Sequence, residues 1–280
     1  MKRINKSMLE NIGSMALRIA FLLLFVAPLL WLVFSSLKPE QDIFKDMNSL
    51  FAFFVKNPTL NNYRLALQRA HLFKYIFNSV LYVFAISVFG MAVNSICGYA
   101  LAKLEVPFSK QILGLIIVLI IIPFESIILP LFIIVNQFGW VNDIKALIIP
   151  FVANCFNIYL FCQFFRGVPD EFLEAAKVDG ASDLRTFLQI VLPQSKTVFA
   201  TVFILTFVTH WGDFMWPLIV TSEDSVRTIQ IGLQFLFTSP PIQYGIILAG
   251  LTISTIPLAI IFLMFQKYYV QSVTSSGIKG

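Results

Sequence analysis

Six apolar runs alternate with shorter polar connectors along the chain. A bilayer-spanning helix needs roughly 20 predominantly apolar residues, and six stretches reach about that length: 15–37, 75–101, 112–135, 144–165, 197–220 and 244–265. The pattern predicts an all-α integral membrane protein with six transmembrane helices, forming one membrane domain over residues 1–280. The connectors differ in character. Asn57-Pro58-Thr59-Leu60-Asn61-Asn62-Tyr63 reads as a turn leading into a short helix, since Pro58 disfavours helix before it. Tyr63–Lys74 reads as an amphipathic helix lying at the membrane interface.

The connector 166–196 is a well-formed polar interruption between two apolar runs. Its central stretch, EFLEAAKVDGASDLRTFLQIVLP (Glu171–Pro193), carries charges at Glu171, Glu174, Lys177, Asp179, Asp183 and Arg185, in a chain of which only 12% is charged. Val168-Pro169-Asp170-Glu171 has the form of a helix start, with proline in the first turn and acidic groups at the positive end of the dipole. Phe172, Leu173, Ala175 and Ala176 then give an apolar stripe, and Gly180 ends the helix as a C-terminal glycine. Ser182 caps a second helix with Leu184, Phe187, Leu188 and Val191 on its apolar face, and Pro193 marks the turn into the next span. A helix bearing small alanines can sit closely in a groove of another protein. The plainer alternative is a solvated linker folded on the membrane surface.

Composition strengthens the membrane reading. Of 280 residues, 58% are hydrophobic and 30 are Phe, above the roughly 45–50% of soluble domains even when their glycines are counted. The net charge of +5 is spread over connectors rather than gathered in a stripe. That suits anionic headgroups and membrane orientation, and it gives no reason to expect a nucleic-acid partner. With the N-terminus inside, twelve of the 20 Lys and Arg, among them Lys2, Arg3 and Lys279, fall on the cytoplasmic side. The positive-inside rule then places both termini, and with them the 166–196 connector, in the cytoplasm of a bacterial-type cell membrane.

The chemical inventory argues against an enzyme. Cys97, Cys155 and Cys162 lie in apolar runs, where Cys acts as a small hydrophobe, and suggest neither a disulfide framework nor a metal site. The two His, His71 and His210, are on different segments, and no G-x-x-x-x-G-K-[ST] sequence occurs. No catalytic residue, metal or cofactor is expected, and any ATP must be hydrolysed by another chain.

Glu174-Ala175-Ala176, three residues, Gly180, nine residues and Ile190-Val191-Leu192-Pro193 together match every fixed position of the EAA loop (EAA-x3-G-x9-I-x-L-P). The chain thereby resembles the permeases of ABC importers. PLLWLVFSSLKPEQDIF, IIPFESIILPLF, NIYLFCQFFRGVPDEFLEAAKVDGAS, WGDFMWPLI and the QKYYVQSVTSSGIKG ending extend the resemblance over nearly the whole chain, to the sugar-importer branch typified by the maltose-type second permease. Gly212 departs from the Asn frequent in that branch, and Gln271-Ser272-Val273 replaces a more usual Gly-Leu pair.

The resemblance implies a division of labour. The EAA loop would be a coupling helix docked on a cytoplasmic ATPase dimer, with Glu174, Ala175, Ala176, Asp179, Gly180, Ile190, Leu192 and Pro193 as its coupling residues. Glu174 would meet basic or polar groups, the two alanines would allow close approach, and Gly180 would permit the sharp turn. A second homologous permease, an extracytoplasmic sugar-binding protein, the lipid bilayer and a sugar substrate complete the expected partners. The alternative, an ion-coupled secondary transporter, calls for inverted repeats and paired intramembrane charges, a pattern not read in this sequence. A membrane scaffold without transport is a third reading.

Candidate passage residues are few. Glu125 lies inside the third run between Pro123 and Pro130, where an acid either satisfies backbone groups freed by the prolines or faces the pathway. His210, Trp211 and Asp213 in the fifth run offer an aromatic face and a carboxylate to a hydroxyl-rich solute, while Trp216 reads as an interfacial belt residue. Asn157 is a further candidate, although Asn154 and Asn157 also suit contacts between helices.

Overall fold

The computed structural model describes residues 6–277, so Lys2, Arg3, Lys279 and the last three positions of the tail lie outside the described residues. Among the described residues every regular element is helical. In chain order they are α1 (Lys6–Ser36), α2 (Glu40–Asp46), a 3-10 turn (Leu50–Phe53), α3 (Asn61–Arg69), α4 (Leu72–Lys103), α5 (Ser109–Ile121), α6 (Phe124–Gln137), α7 (Ile144–Val152) and α8 (Cys155–Arg166). There follow α9 (Asp170–Val178), α10 (Asp183–Thr186), a π turn (Phe187–Val191), α11 (Leu192–Gln194), α12 (Lys196–Trp211), α13 (Met215–Val220), α14 (Ile229–Thr238) and α15 (Tyr244–Gly277).

Gly13–Ser36, Leu72–Lys103, Ile144–Arg166 and Tyr244–Tyr268 are each long and apolar enough to cross a membrane. Two bent pairs bring the number to six if each pair is one span: α5 with α6 at 101°, and Asp183–Gln194 with α12 at 80°. The third run is therefore not the single helix expected over 112–135. Ile122 takes φ −70°, ψ 118°, the extended conformation forced on a residue before proline, and Pro123 restarts the chain as the N-cap of α6. The fifth run is also interrupted. α12 stops at Trp211 after 16 residues, about 24 Å of helix. Asp213 Oδ1 then accepts the Trp216 N–H at 3.4 Å, so a local side chain competes with helix continuation before α13.

The expected interfacial helix is α3, which begins at Asn61 and ends at Arg69. His71 turns the backbone left-handed at φ 46°, and Lys74 belongs to α4. α14, an apolar helix of ten residues, falls below spanning length and was not expected.

Two compact units can be distinguished, Met1–Phe73 with Gly232–Ile256 and Lys74–Ile231 with Pro257–Gly280. In the first, the segment after α1 is tied by polar groups. Lys38 is 2% exposed, and its Nζ donates to Asp46 Oδ2 at 3.1 Å and to the Phe51 carbonyl at 2.6 Å. Asn62 Nδ2 donates to the Ser36 and Lys38 carbonyls, both at 2.8 Å. The Glu40 carboxylate accepts the Tyr244 and Gly245 N–H groups, each at 2.8 Å, stabilising the start of α15.

In the second unit, α4 and α8 approach closely at Gly98, where a Cβ would stand 2.6 Å from Phe161 Cβ and 2.9 Å from the Cys162 nitrogen. The break between α7 and α8 is filled by asparagines. Asn94 donates to the Val152 carbonyl at 3.1 Å and accepts the Asn154 N–H at 3.0 Å, and Asn154 Oδ1 accepts the Asn157 N–H at 3.0 Å. Backbone groups freed inside an apolar span are thus satisfied by neighbouring side chains.

Candidate functional site

The connector between α8 and α12 folds as an elbow on an aromatic base. Tyr99, Phe161, Phe165, Phe187, Val191, Val198 and Val202 form its buried core. Tyr99 and Phe165 both lie against Phe187, with ring centroids 5.0 and 6.0 Å away, spacings at which offset or edge-on aromatic pairs attract beyond simple burial. Leu173, on α9, belongs to this core, and Ala176, three residues on, is buried as well.

α9 is fixed at both ends. Pro169 precedes it in extended conformation, and Asp170 and Glu171 occupy its first turn. The Lys103 ammonium, at the end of α4, donates to the Val168 carbonyl at 2.6 Å and to Asp170 Oδ1 at 2.5 Å. At the far end the Gly180 N–H donates to the Lys177 carbonyl at 3.0 Å and the Ala181 N–H to the Ala176 carbonyl at 2.9 Å. These paired bonds close a Schellman turn around Gly180 at φ 76°. Nothing stands within 4 Å of a Cβ placed on Gly180, so glycine is required by backbone angle and not by lack of space.

Beyond the turn, Ser182 Oγ accepts the Arg185 N–H at 3.4 Å and caps α10. The helix then widens by one residue, because the Leu192 N–H donates to the Phe187 carbonyl. Pro193 lies within the short α11, and the chain turns at Ser195 into α12, with Ser195 Oγ returned to the Val191 carbonyl at 2.6 Å.

The two expected apolar stripes are each divided. On α9, Leu173 and Ala176 are buried while Phe172 and Ala175 are exposed. On the second segment, Phe187 and Val191 are buried while Leu184 and Leu188 are exposed. Ala176 is thus spent on packing within this chain, and of the two alanines only Ala175 is open to a partner. Glu174, Asp179, Gly180 and Pro193 are exposed, and Ile190 and Leu192 are half-buried. Glu174 borders a cavity of ≈ 370 Å³ with Lys103, Arg166, Asp170, Leu173 and Lys177 around it. The outward face therefore combines acid, base and the apolar side chains of Phe172, Val178, Leu184 and Leu188; Val178 is 88% exposed. Such a mixture on a rigid base suits a protein partner.

The passage candidates are not all open. Asn157 is buried and donates to Thr206 Oγ1 at 3.1 Å, joining α8 to α12. His210 is buried, with its ring centroid 5.1 Å from that of Phe151 and its carbonyl accepting from the Tyr82 hydroxyl. Trp211 is buried and stacks on Phe207 at 5.5 Å. Neither ring is exposed within this chain. Asp213 is half-buried, and Glu125 is exposed in the first turn of α6. Its neighbour Phe124 packs against Phe151 and Trp216, so the α6 start and the end of α12 share one aromatic cluster. Trp216 is fully buried there and donates from Nε1 to the Ala146 carbonyl at 2.9 Å, which makes it a core residue instead of a belt residue.

Sequence reasoning missed Lys103, the π turn and the Phe165–Phe187 base. A lysine ending a long apolar run was the available signal for the first. The π turn has no signature in residue type.

Residues 94–275 match the family described as "Binding-protein-dependent transport system inner membrane component". The "Arabinooligosaccharides transport system permease protein AraQ" of Halalkalibacterium halodurans is 33% identical over 94% of this chain and 93% of its own length. The "sn-glycerol-3-phosphate transport system permease protein UgpE" of Yersinia enterocolitica is 32% identical over 72% of each chain. The "Sulfoquinovosyl glycerol transport system permease protein SmoH" of Agrobacterium fabrum is 29% identical over 90% of this chain and 88% of its own. A solved chain from the "Crystal structure of a bacterial ABC transporter involved in the import of the acidic polysaccharide alginate" superposes with a TM-score of 0.83, covering 96% of this chain and 100% of that one at 19% identity. The fold is therefore that of an ABC importer permease.

Proposed function

The chain belongs to the binding-protein-dependent transport system inner membrane components, and on that premise we propose that it is half of the translocation path of a carbohydrate importer driven by a separate ATPase. Relatives named for arabinooligosaccharides, sn-glycerol-3-phosphate and sulfoquinovosyl glycerol support a polyhydroxylated solute, with an oligosaccharide foremost. The other half of the path is a second homologous permease, and an extracytoplasmic binding protein delivers the solute. Both termini and the α9–α11 elbow face the cytoplasm, and the two compact units serve as one permease domain.

The observation that carries this reading is the elbow itself, a Schellman-closed helix on a packed aromatic base with Glu174, Ala175 and Val178 turned outward. In the proposed cycle the ATPase dimer grips this face. Glu174 pairs with a basic group of the ATPase, Asp179 and Gly180 set the turn, and Ile190, Leu192 and Pro193 carry displacement into α12. The spans follow and expose the central path alternately to each side. Asp213 and Glu125 are the passage candidates left open by this chain, and the second permease supplies the remaining solute contacts. His210, Trp211 and Asn157 hold the helices around the path in this reading, which their burial supports.

Vesicles holding both permeases and the ATPase pair, supplied with binding protein, should accumulate a labelled oligosaccharide only when ATP is enclosed with the ATPase. Uptake on an ion gradient without ATP refutes the reading. A cysteine in place of Val178 should resist an impermeant thiol reagent in sealed cells and react once the membrane is opened. Labelling in sealed cells would put the elbow outside, out of reach of any ATPase.

A further inference from the structure

Outside the elbow and the aromatic cluster, the second unit has a groove of ≈ 720 Å³ between α4, α12 and the 257–268 part of α15. Its walls are almost wholly apolar and mostly bulky. Phe203 and Phe265 meet across it at 5.1 Å, and Phe84 and Met264, 56% and 61% exposed, form part of its lip. The polar side chains that line it are Lys196, at the end where α12 begins, and Tyr268. Lys267, whose Nζ is 4.9 Å from the Tyr268 ring centroid, lies beside the latter.

Three occupants can be weighed. A sugar requires hydrogen-bonding groups along its whole length, and this lining offers none between Phe199 and Phe207 on α12. A neighbouring transmembrane helix packs best against small residues that let backbones approach, and Ala200 is the single small residue of the lining. An acyl chain needs no close backbone approach, conforms to phenylalanines and to flexible methionines such as Met91 and Met264, and carries its charge at one end only. A lysine at one end of an apolar groove complements that distribution.

We propose that this groove is a specific site for an anionic membrane glycerophospholipid, its acyl chains lying along Phe199, Phe203 and Phe207 and its phosphate held by Lys196. The proposal needs only that the chain resides in a bilayer and is independent of how the elbow is used.

The test is native mass spectrometry of the assembled importer in detergent, titrated with dioleoylphosphatidylglycerol or with dioleoylphosphatidylcholine. The unaltered protein should retain phosphatidylglycerol about fivefold better, the discrimination that one lysine gives near anionic lipid. Lys196→Gln should bring that ratio close to one without loss of assembly, and Val88→Trp, which narrows the groove at a half-exposed position, should lower retention of both lipids. A ratio close to one in the unaltered protein, or a ratio unchanged by Lys196→Gln, overturns the proposal. So does a disulfide formed between Phe203→Cys and a cysteine placed in a membrane helix of the second permease, since a protein helix would then fill the groove.

Discussion

Two connectors of the second unit can be set side by side, the α9–α11 elbow and the strap 221–228 that joins α13 to α14. The backbone of the strap is tied by side chains from several other segments. Asn142, left-handed at φ 63°, accepts the Ser222 N–H at 2.6 Å and the Glu223 N–H at 3.0 Å through one side-chain oxygen. Asn78 Nδ2 donates to the Ser225 and Arg227 carbonyls at 2.9 and 3.0 Å, Ser79 Oγ accepts the Ile229 N–H at 2.8 Å, and Asp224 receives both Lys74 and the Tyr75 hydroxyl. The elbow is firm only underneath, through Lys103 and the rings around Phe187, and it leaves large apolar side chains uncovered above. The strap is held along its backbone by side chains from other segments. The elbow is packed at its root and keeps Val178, Leu184 and Leu188 open at its tip, the form expected of a connector that meets another molecule.

That contrast can be broken at several points. The largest effect on ATPase binding belongs to Glu174→Lys, which leaves the elbow folded but reverses its outward charge. Loss of a paired interface charge costs about 2–5 kcal/mol, or roughly 30-fold and upward in affinity. ATPase co-purification and ATP-driven uptake should both fall accordingly, with thermal stability unchanged. If uptake persisted, the tip would not be the gripped surface. Phe187→Ala attacks the root and should cost about 3–5 kcal/mol, read as a lowered unfolding temperature in detergent together with loss of uptake.

Gly180→Val forces a β-branched residue to φ > 0, for about 1–3 kcal/mol of local strain. The expected signature is uncoupling: ATP hydrolysis by the assembled complex persists while uptake drops, because the turn no longer holds its angle. Asn142→Ala, which removes one tie of the strap, should cost about 1 kcal/mol of stability through lost hydrogen bonds. It should leave the ATPase-coupling ratio alone, and a coupling defect there would erase the distinction between the two connectors.

Much of this was legible from residue order. The apolar runs suggested the membrane segments, and Pro169, Gly180 and Ser182 marked the joints of the elbow; Gly180 and Ser182 perform the expected tasks, while Pro169 stands just before the helix instead of in its first turn. What stayed hidden was decided by partners distant in sequence. Hydropathy is blind to a break that keeps its residues apolar, so the turn at Ile122–Pro123 and the early end of α12 passed as continuous spans. Trp216 reads alike in a belt and in a core until Ala146 is seen to accept its N–H. The burial of His210 and Trp211 was equally hidden, because aromatic character reveals nothing of which way a ring points. Ala176 illustrates the same limit within a motif, since it packs inward while its neighbour Ala175 faces out.

The single extra residue accommodated between Phe187 and Val191 acts as a phase shifter. Each residue advances an α-helix by about 100°, so the widened turn fixes the angle at which the exposed Leu184 stands to the helix that begins at Lys196. Removing one residue from it would turn Leu184 by about that angle relative to Val191, and the face now held outward would point elsewhere.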